Sequence, residues 1–136
     1  MTAAGLPSAH HVVFAVSPER LGAVSSVFTD LGFVFNTFVL EDVGLEVMLD
    51  WDRGIELVTP TRPQDHGVSE FLARNGEGVY SVVIRVGDAP SAEQLARRHG
   101  AVTRFRQHRQ VGAHQLEEIE LSVQGLSLTL LSTDLP

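Results

Sequence analysis

The chain has 136 residues, of which 43% are hydrophobic and 20% charged, and it contains no cysteine. This composition predicts one globular domain with its own core, and it excludes disulfides and thiolate metal ligands. The formal net charge of -7 argues against non-specific nucleic-acid binding. No apolar run is long enough to span a membrane or to form a secretory signal, and a cysteine-free chain is compatible with the cytoplasmic location that we expect.

The first half of the chain predicts a strand, a helix and three further strands. The strand is HHVVFAV, residues 10–16, and Ser17 and Pro18 are typical of a helix start. The apolar residues that recur at helical spacing, and so predict the buried face of this helix, are Leu21, Val24, Phe28 and Leu31. Gly32 predicts its end. The three following strands are FVFNTFVL (33–40), GLEVMLD (44–50) and GIELVTP (54–60).

The second half repeats this order at an offset of about 70 residues, which indicates an internal duplication. YSVVIRV (80–86) corresponds to HHVVFAV, and a capping box of Ser91 with Gln94 predicts the next helix. The following strands are AVTRFRQ (101–107), HQLEEIELSV (114–123) and GLSLTLLS (125–132). We therefore predict one domain of two βαβββ modules, at about 9–60 and about 80–132. They are joined by a linker, 61–79, that includes a short helix at SEFLARNG (69–76).

Strand alternation then predicts which side chains share a face. In the first strand, Phe14 and its neighbours of the same parity point towards the helix, and His11 points the other way. The same argument applied to the fifth strand places Ser81 and Arg85 away from the helix. One sheet face is thereby predicted to collect four polar residues at repeat-equivalent positions, which are His11, Glu56, Ser81 and Thr129.

The chain resembles the vicinal oxygen chelate superfamily, and within it the methylmalonyl-CoA epimerases most closely. The segments that carry the resemblance are HHVVFAV (10–16), IELVTP (55–60), SEFLARNGEGVYSVVIRV (69–86) and, more weakly, VGAH (111–114). The resemblance implies an α+β fold in which two βαβββ modules form an open eight-stranded cup, and it implies a homodimer.

In this superfamily one divalent metal is held by four side chains, one from each of four strands. The positions that match the four ligands are His11, Glu56, Ser81 and Thr129, so an imidazole and a carboxylate are replaced by hydroxyls. Hydroxyl groups are weak neutral ligands for such ions. We therefore expect no tightly bound metal, although His11 and Glu56 could hold a divalent ion weakly, and we expect no other cofactor.

Two functions follow from these residues. The first is an isomerase or lyase in which His11 and Glu56 form an acid/base pair and Glu46 is a further candidate for proton transfer. The second is a non-catalytic protein that binds or sequesters a small molecule, as bleomycin-resistance proteins do.

The expected ligand is a small molecule, with an acyl-CoA or a carboxylate as candidates. Further substrate-binding candidates are Ser81, Thr129 and His114, together with two residues for which a structural role is also open. Arg85 could anchor an anion or reach solvent, and Tyr80 could donate a hydrogen bond or pack.

Overall fold

The structure is a computed structural model that describes residues 5–64 and 67–136. Its strands are β1 (Ser8–Ala15), β2 (Asn36–Leu40), β3 (Leu45–Asp50), β4 (Ile55–Pro60), β5 (Gly78–Arg85), β6 (Val102–Val111), β7 (His114–Val123) and β8 (Leu126–Thr133). Its helices are a 3-10 turn (Pro18–Arg20), α1 (Leu21–Asp30), α2 (Gly67–Asn75) and α3 (Ala89–Arg97). The predicted fold class is confirmed, because the described residues form an α+β protein with an eight-stranded sheet built from two βαβββ modules.

The chain divides into two compact units, one of residues His11–Tyr80 and the other of Ser81–Pro136 with the residues that precede His11. Among the described helices, none has the length and apolar character needed to cross a membrane.

In the unit His11–Tyr80, the strand order is β2-β3-β4-β1. β1 and β4 run parallel, whereas β2, β3 and β4 are joined antiparallel. Phe14 packs against Phe28 of α1, with ring centroids 5.8 Å apart, so this parity of β1 faces the helix as predicted. His11 and Val13, which have the opposite parity, are therefore on the other face of the sheet.

Two details of this unit differ from the sequence prediction. β2 begins at Asn36 instead of residue 33, because the rings of Phe33 and Phe35 pack around Phe28 and the chain there is not extended in the sheet. The predicted face of α1 is half-buried at Leu21, Val24 and Phe28, and no residue of the helix is fully buried. Leu31 is 71% exposed, because α1 ends before it.

In the unit that contains Ser81–Pro136, the strand order is β5-β8-β7-β6. β5 and β8 run parallel, and the β6–β7 and β7–β8 pairs are antiparallel. The helix α3 packs against one face of this sheet over a core formed by Ala89, Ala101, Ile119, Leu121 and Leu130. The predicted cap of α3 was wrong: the helix begins three residues earlier than Ser91 would allow. Asp88 caps it by accepting a hydrogen bond from the Ser91 amide.

Glu77, in the glycine-rich turn before β5, binds the start of the first helical segment. Its carboxylate accepts hydrogen bonds from the Ser17 amide at 3.1 Å and the Ser17 hydroxyl at 2.5 Å, and it pairs with Arg20 at 2.5 Å. The hydrogen bonds from the Ser17 hydroxyl and amide, with a smaller contribution from Arg20, lower the pKa of Glu77 to about 2. The Ser17 side chain therefore binds Glu77 instead of capping the helix.

We expect the Glu77→Gln variant to be less stable than the wild type at neutral pH, and to lose less stability on acidification. The folded-state pKa of Glu77 is lowered, so its ionisation stabilises the fold above the unfolded value of about 4.5. That contribution disappears as the pH falls towards about 2. Urea unfolding across this pH range would measure the effect, with Glu19→Gln as the exposed control. A difference between wild type and Glu77→Gln that stays constant with pH would contradict the assignment.

Candidate functional site

His11, which is buried, and Glu56, which is half-buried, form a pair on the face of the β1–β4 sheet opposite α1. Val13 is the Cα partner of Glu56 in the parallel register, and His11 precedes Val13 by two residues, so the two side chains are diagonal neighbours. His11 Nε2 lies 2.9 Å from Glu56 Oε1, with side-chain exposures of 1% and 17%. Glu56 is therefore the accessible member of the pair, and His11 lies behind it.

Trp51 belongs to the surroundings of this pair, although nothing in the sequence pattern indicated it. Its ring lies 6.2 Å from the His11 ring, at a tilt of 46°. Trp51 follows β3 directly, in the tight turn that leads to β4. The register of that antiparallel pair brings the turn beside β1, where Val12 donates to the Gly54 carbonyl. A large aromatic ring at this position limits the access of water to the histidine.

Ser81 and Thr129 repeat the same geometry in the second unit. Val83 is the Cα partner of Thr129 in the parallel β5–β8 register, and Ser81 precedes Val83 by two residues. The two hydroxyl oxygens are 2.8 Å apart, and the residues are 2% and 8% exposed. The repeat equivalence inferred from the sequence is therefore present in the register of both modules, with an ionisable pair in one and a neutral pair in the other.

These residues do not fit the four-ligand metal site that the resemblance implies. Two of the four positions supply hydroxyls that are hydrogen-bonded to each other and bring no negative charge. Elsewhere in residues 5–64 and 67–136, no group of three or more His, Asp or Glu side chains is arranged to hold a metal ion. A divalent ion held by His11 and Glu56 alone would lack most of its protein ligands.

We expect the purified protein to contain well below one equivalent of any divalent metal after dialysis against a chelator, and its melting temperature to be unchanged by that treatment. The physical reason is the replacement of an imidazole and a carboxylate by neutral hydroxyls. Elemental analysis and thermal unfolding with and without the chelator test this expectation. Near-stoichiometric metal that is lost in a His11→Ala variant would refute it.

Glu46 is not brought to the pair. In the β3–β4 register the Cα partner of Glu56 is Leu49, and Glu46 pairs with Thr59. Directly paired residues of antiparallel strands share a face, and Glu46 is an odd number of residues from Leu49, so its side chain is on the opposite face. This placement does not support the predicted catalytic role of Glu46.

The other three predicted binding residues have partners in the protein itself. Arg85 shares a sheet face with Ser81, as predicted, but its Nη2 donates to the carbonyl oxygens of Thr133 and Leu135, at 3.0 and 2.6 Å. Tyr80 packs edge-on against Phe71, with ring centroids 5.5 Å apart. His114 Nδ1 is 3.5 Å from the carboxylate of Asp134 and has no hydrogen-bond partner among the described residues. These contacts do not test the binding roles predicted for the three residues, which stay predictions.

The eight-stranded fold, with the equivalent pairs His11–Glu56 and Ser81–Thr129, is similar to solved structures of known proteins. No protein-family model and no curated protein sequence matches the chain. The chain nevertheless has the vicinal oxygen chelate fold, so the predicted resemblance is confirmed at the level of structure.

The similar solved structures include methylmalonyl-CoA epimerases. The enzyme from Mycobacterium tuberculosis is 22% identical over 97% of this chain and 92% of that chain, with a TM-score of 0.70. A methylmalonyl-CoA epimerase in complex with methylmalonyl-CoA and NH4+ is 23% identical over 93% and 94% of the two chains, with a TM-score of 0.73. A variant of the Streptomyces coelicolor epimerase in complex with 2-nitronate-propionyl-CoA is 23% identical over 93% and 97%, with a TM-score of 0.70.

Proposed function

We propose that the protein is an isomerase or lyase that moves a proton on a small carbonyl compound, with His11 and Glu56 as its acid/base pair and without a tightly bound metal. The observation that carries this proposal is the 2.9 Å contact between His11 Nε2 and Glu56 Oε1 in a largely water-excluded setting. A carboxylate and an imidazole within hydrogen-bond distance are a common arrangement for general acid–base catalysis.

The difference in exposure suggests separate roles for the two residues. The accessible carboxylate of Glu56 would accept the proton from the carbon beside a carbonyl group, and the enclosed His11 would hold that carboxylate in position through the contact between them. In an isomerase, Glu56 returns the proton to the same or a neighbouring carbon. In a lyase, the electron pair instead expels a leaving group from the adjacent carbon.

The substrate class is proposed from two sources. The structural neighbours bind methylmalonyl-CoA and 2-nitronate-propionyl-CoA, which supports an acyl-CoA or a simple carboxylate as the ligand. Proton transfer beside a carbonyl also requires an activated C–H bond, which thioesters and keto acids supply. The homodimeric state and the cytoplasmic location stay predictions.

The second candidate function is non-catalytic binding of a small molecule. It is favoured by the Ser81–Thr129 pair, because two buried hydroxyls can hold a ligand by hydrogen bonds but cannot serve as a base near neutral pH. In that case His11 and Glu56 would be a buried ion pair that fixes the sheet.

Deuterium exchange distinguishes the two candidates. The protein would be incubated in D2O, with a chelator present, against a panel of acyl-CoA thioesters and 2-substituted carboxylates, and deuterium at the carbon beside the carbonyl would be measured by mass spectrometry. We expect protein-dependent exchange in at least one compound. Absence of exchange across the panel, together with a small molecule retained in native mass spectra of the purified protein, would favour the binding protein instead.

A further inference from the structure

The outer edge of β2 has no partner strand among residues 5–64 and 67–136, because β2 ends the sheet. Its sequence, NTFVL, contains no charged residue and no proline. Phe38 and Val39 are 40% and 47% exposed, and alternation places their side chains on opposite faces of the sheet. An edge of this kind is a template for pairing with another chain, which natural proteins usually prevent.

β6, the edge strand of the other unit, has the features that β2 lacks. Its register against β7 shifts between Thr103 and Phe105, which indicates a bulge. Arg104 and Arg106 lie at this bulge, and both residues are exposed. Charges and bulges on an edge strand oppose pairing with another strand. The contrast favours β2, and not β6, as the edge that accepts a partner.

The surface around β2 is also rich in apolar side chains. Among the described residues eleven large apolar side chains are exposed, and five of them lie within residues 27–39: Val27, Leu31, Val34, Phe38 and Val39. Single exposed apolar residues are normal on a protein surface, whereas their concentration in one short stretch is typical of an interaction surface.

The hydrogen bonds of the neighbouring strands determine how the main chain of β2 is oriented. The Thr61 amide donates to the Gly44 carbonyl, and the next pair of the β3–β4 ladder is Leu45 with Pro60. Antiparallel strands alternate between hydrogen-bonded and non-hydrogen-bonded pairs. Leu45 therefore directs its main-chain groups away from β4 and towards β2, where its partner is Leu40.

The outward groups of β2 then follow by alternation. Leu40 bonds to β3, and so do Phe38 and Asn36, which precede it by two and four residues. The main-chain N–H and C=O groups of Thr37 and Val39 therefore point to the outer side, where no described strand pairs with them.

A second copy of β2, related by a two-fold axis, satisfies these groups. With Phe38 opposite Phe38 of the second copy, Thr37 of each chain is opposite Val39 of the other. Each Thr37–Val39 pair then exchanges both main-chain hydrogen bonds. Phe38 occupies the non-hydrogen-bonded position on the axis, where side chains of paired strands are closest and two aromatic rings stabilise the pairing.

Charge favours this register over one closer to the β2–β3 turn. A register centred on Glu41 would place two carboxylates opposite each other, which is destabilising. In the register centred on Phe38, Glu41 and Asp42 are instead opposite Phe35 and Val34 of the second copy. No two charged side chains are then directly opposite across the pair.

We propose that the partner of this edge is a second copy of the chain, and that the two β2 strands pair antiparallel around Phe38 in a two-fold dimer. Such an interface uses the same surface on both copies. It does not involve His11 and Glu56, and it does not rest on their acid/base role. A strand of five residues is a small contact beside the roughly 800 Å² that each partner of a stable complex buries, so we expect a dimer that dissociates on dilution.

Two measurements on the wild-type chain test the proposal. Sedimentation velocity over a dilution series should show a monomer–dimer equilibrium. Amide hydrogen exchange followed by NMR should slow at Thr37 and Val39 as the protein concentration rises. The Phe38 amide, which bonds to β3, should not respond. A monomer at every concentration, or a dimer in which exchange at Thr37 and Val39 does not depend on concentration, would overturn the proposal.

Charged variants at Phe38 test the two-fold axis itself. Phe38→Lys and Phe38→Glu should each be monomeric, because the axis places like charges opposite each other, and an equimolar mixture of the two should form a mixed dimer. The matched control is Phe105→Lys, which changes a 42% exposed phenylalanine on β6 and should leave the dimer intact. Wild-type dimerisation by Phe38→Lys, or no mixed dimer from two variants with native-like circular dichroism spectra, would contradict the proposed interface.

Discussion

Replacing Glu56 by glutamine should lower the rate of deuterium exchange in the best substrate of the panel by about 10²–10⁴-fold, the usual contribution of a general base. Glutamine keeps the size of the side chain and can still hydrogen-bond to His11 Nε2, but it cannot accept a proton from carbon. We therefore expect the loss in kcat with a small change in KM, measured by exchange kinetics at saturating substrate.

His11→Gln should give a smaller loss than Glu56→Gln, because His11 is enclosed and acts through the carboxylate that it contacts. The exposed Glu41→Gln variant is the control for changing a carboxylate elsewhere in the unit. Glu46→Gln should resemble that control, since Glu46 is on the opposite sheet face. If Glu56→Gln exchanges at the wild-type rate, the acid/base assignment is wrong, and a large loss in Glu46→Gln would restore the predicted role of that residue.

Methylmalonyl-CoA itself should exchange its α-hydrogen slowly with this protein, about a hundred-fold or more below the rate of an efficient enzyme. Epimerisation passes through an enolate whose oxygen needs electrostatic stabilisation, and losing one such interaction costs about 10²–10³-fold. At the positions where the resemblance implies two of the metal ligands, this chain has Ser81 and Thr129, whose hydroxyls are hydrogen-bonded to each other and are neither charged nor basic. Rapid exchange of methylmalonyl-CoA by the wild type, with or without cobalt, would refute this prediction and indicate an epimerase.

Much of the fold was predictable because its signals are local. The period-two alternation of HHVVFAV and YSVVIRV identified both opening strands, and parity alone placed His11 and Glu56 on one face. Glycine and proline residues indicated where helices and strands begin and end. The internal duplication indicated that the two halves have the same order of elements. The His11–Glu56 contact follows from these features, because diagonal neighbours on adjacent parallel strands are within reach of their side chains.

The remaining site details depend on register and on tertiary contacts, which local patterns do not encode. The face of Glu46 depends on the pairing fixed by the turn between Asp50 and Ile55, and a shift of one residue reverses it. Arg85 binds carbonyls about 50 residues away, which a single-strand pattern cannot indicate.

The parallel pairing of the first and last strand within each module has a consequence for how the chain folds during synthesis. β1 pairs with β4, and β5 pairs with β8. The strand pairing within each module is therefore complete only after the last strand of that module has left the ribosome. The side chains of His11 and Glu56 are 45 residues apart, and those of Ser81 and Thr129 are 48 apart. Such non-local contacts slow folding, because loop-closure entropy is lost before they form. Until its partner strand has been synthesised, the opening strand of each module has an edge without that partner. We therefore expect β1 and β5 to be the segments that a chaperone protects on the nascent chain.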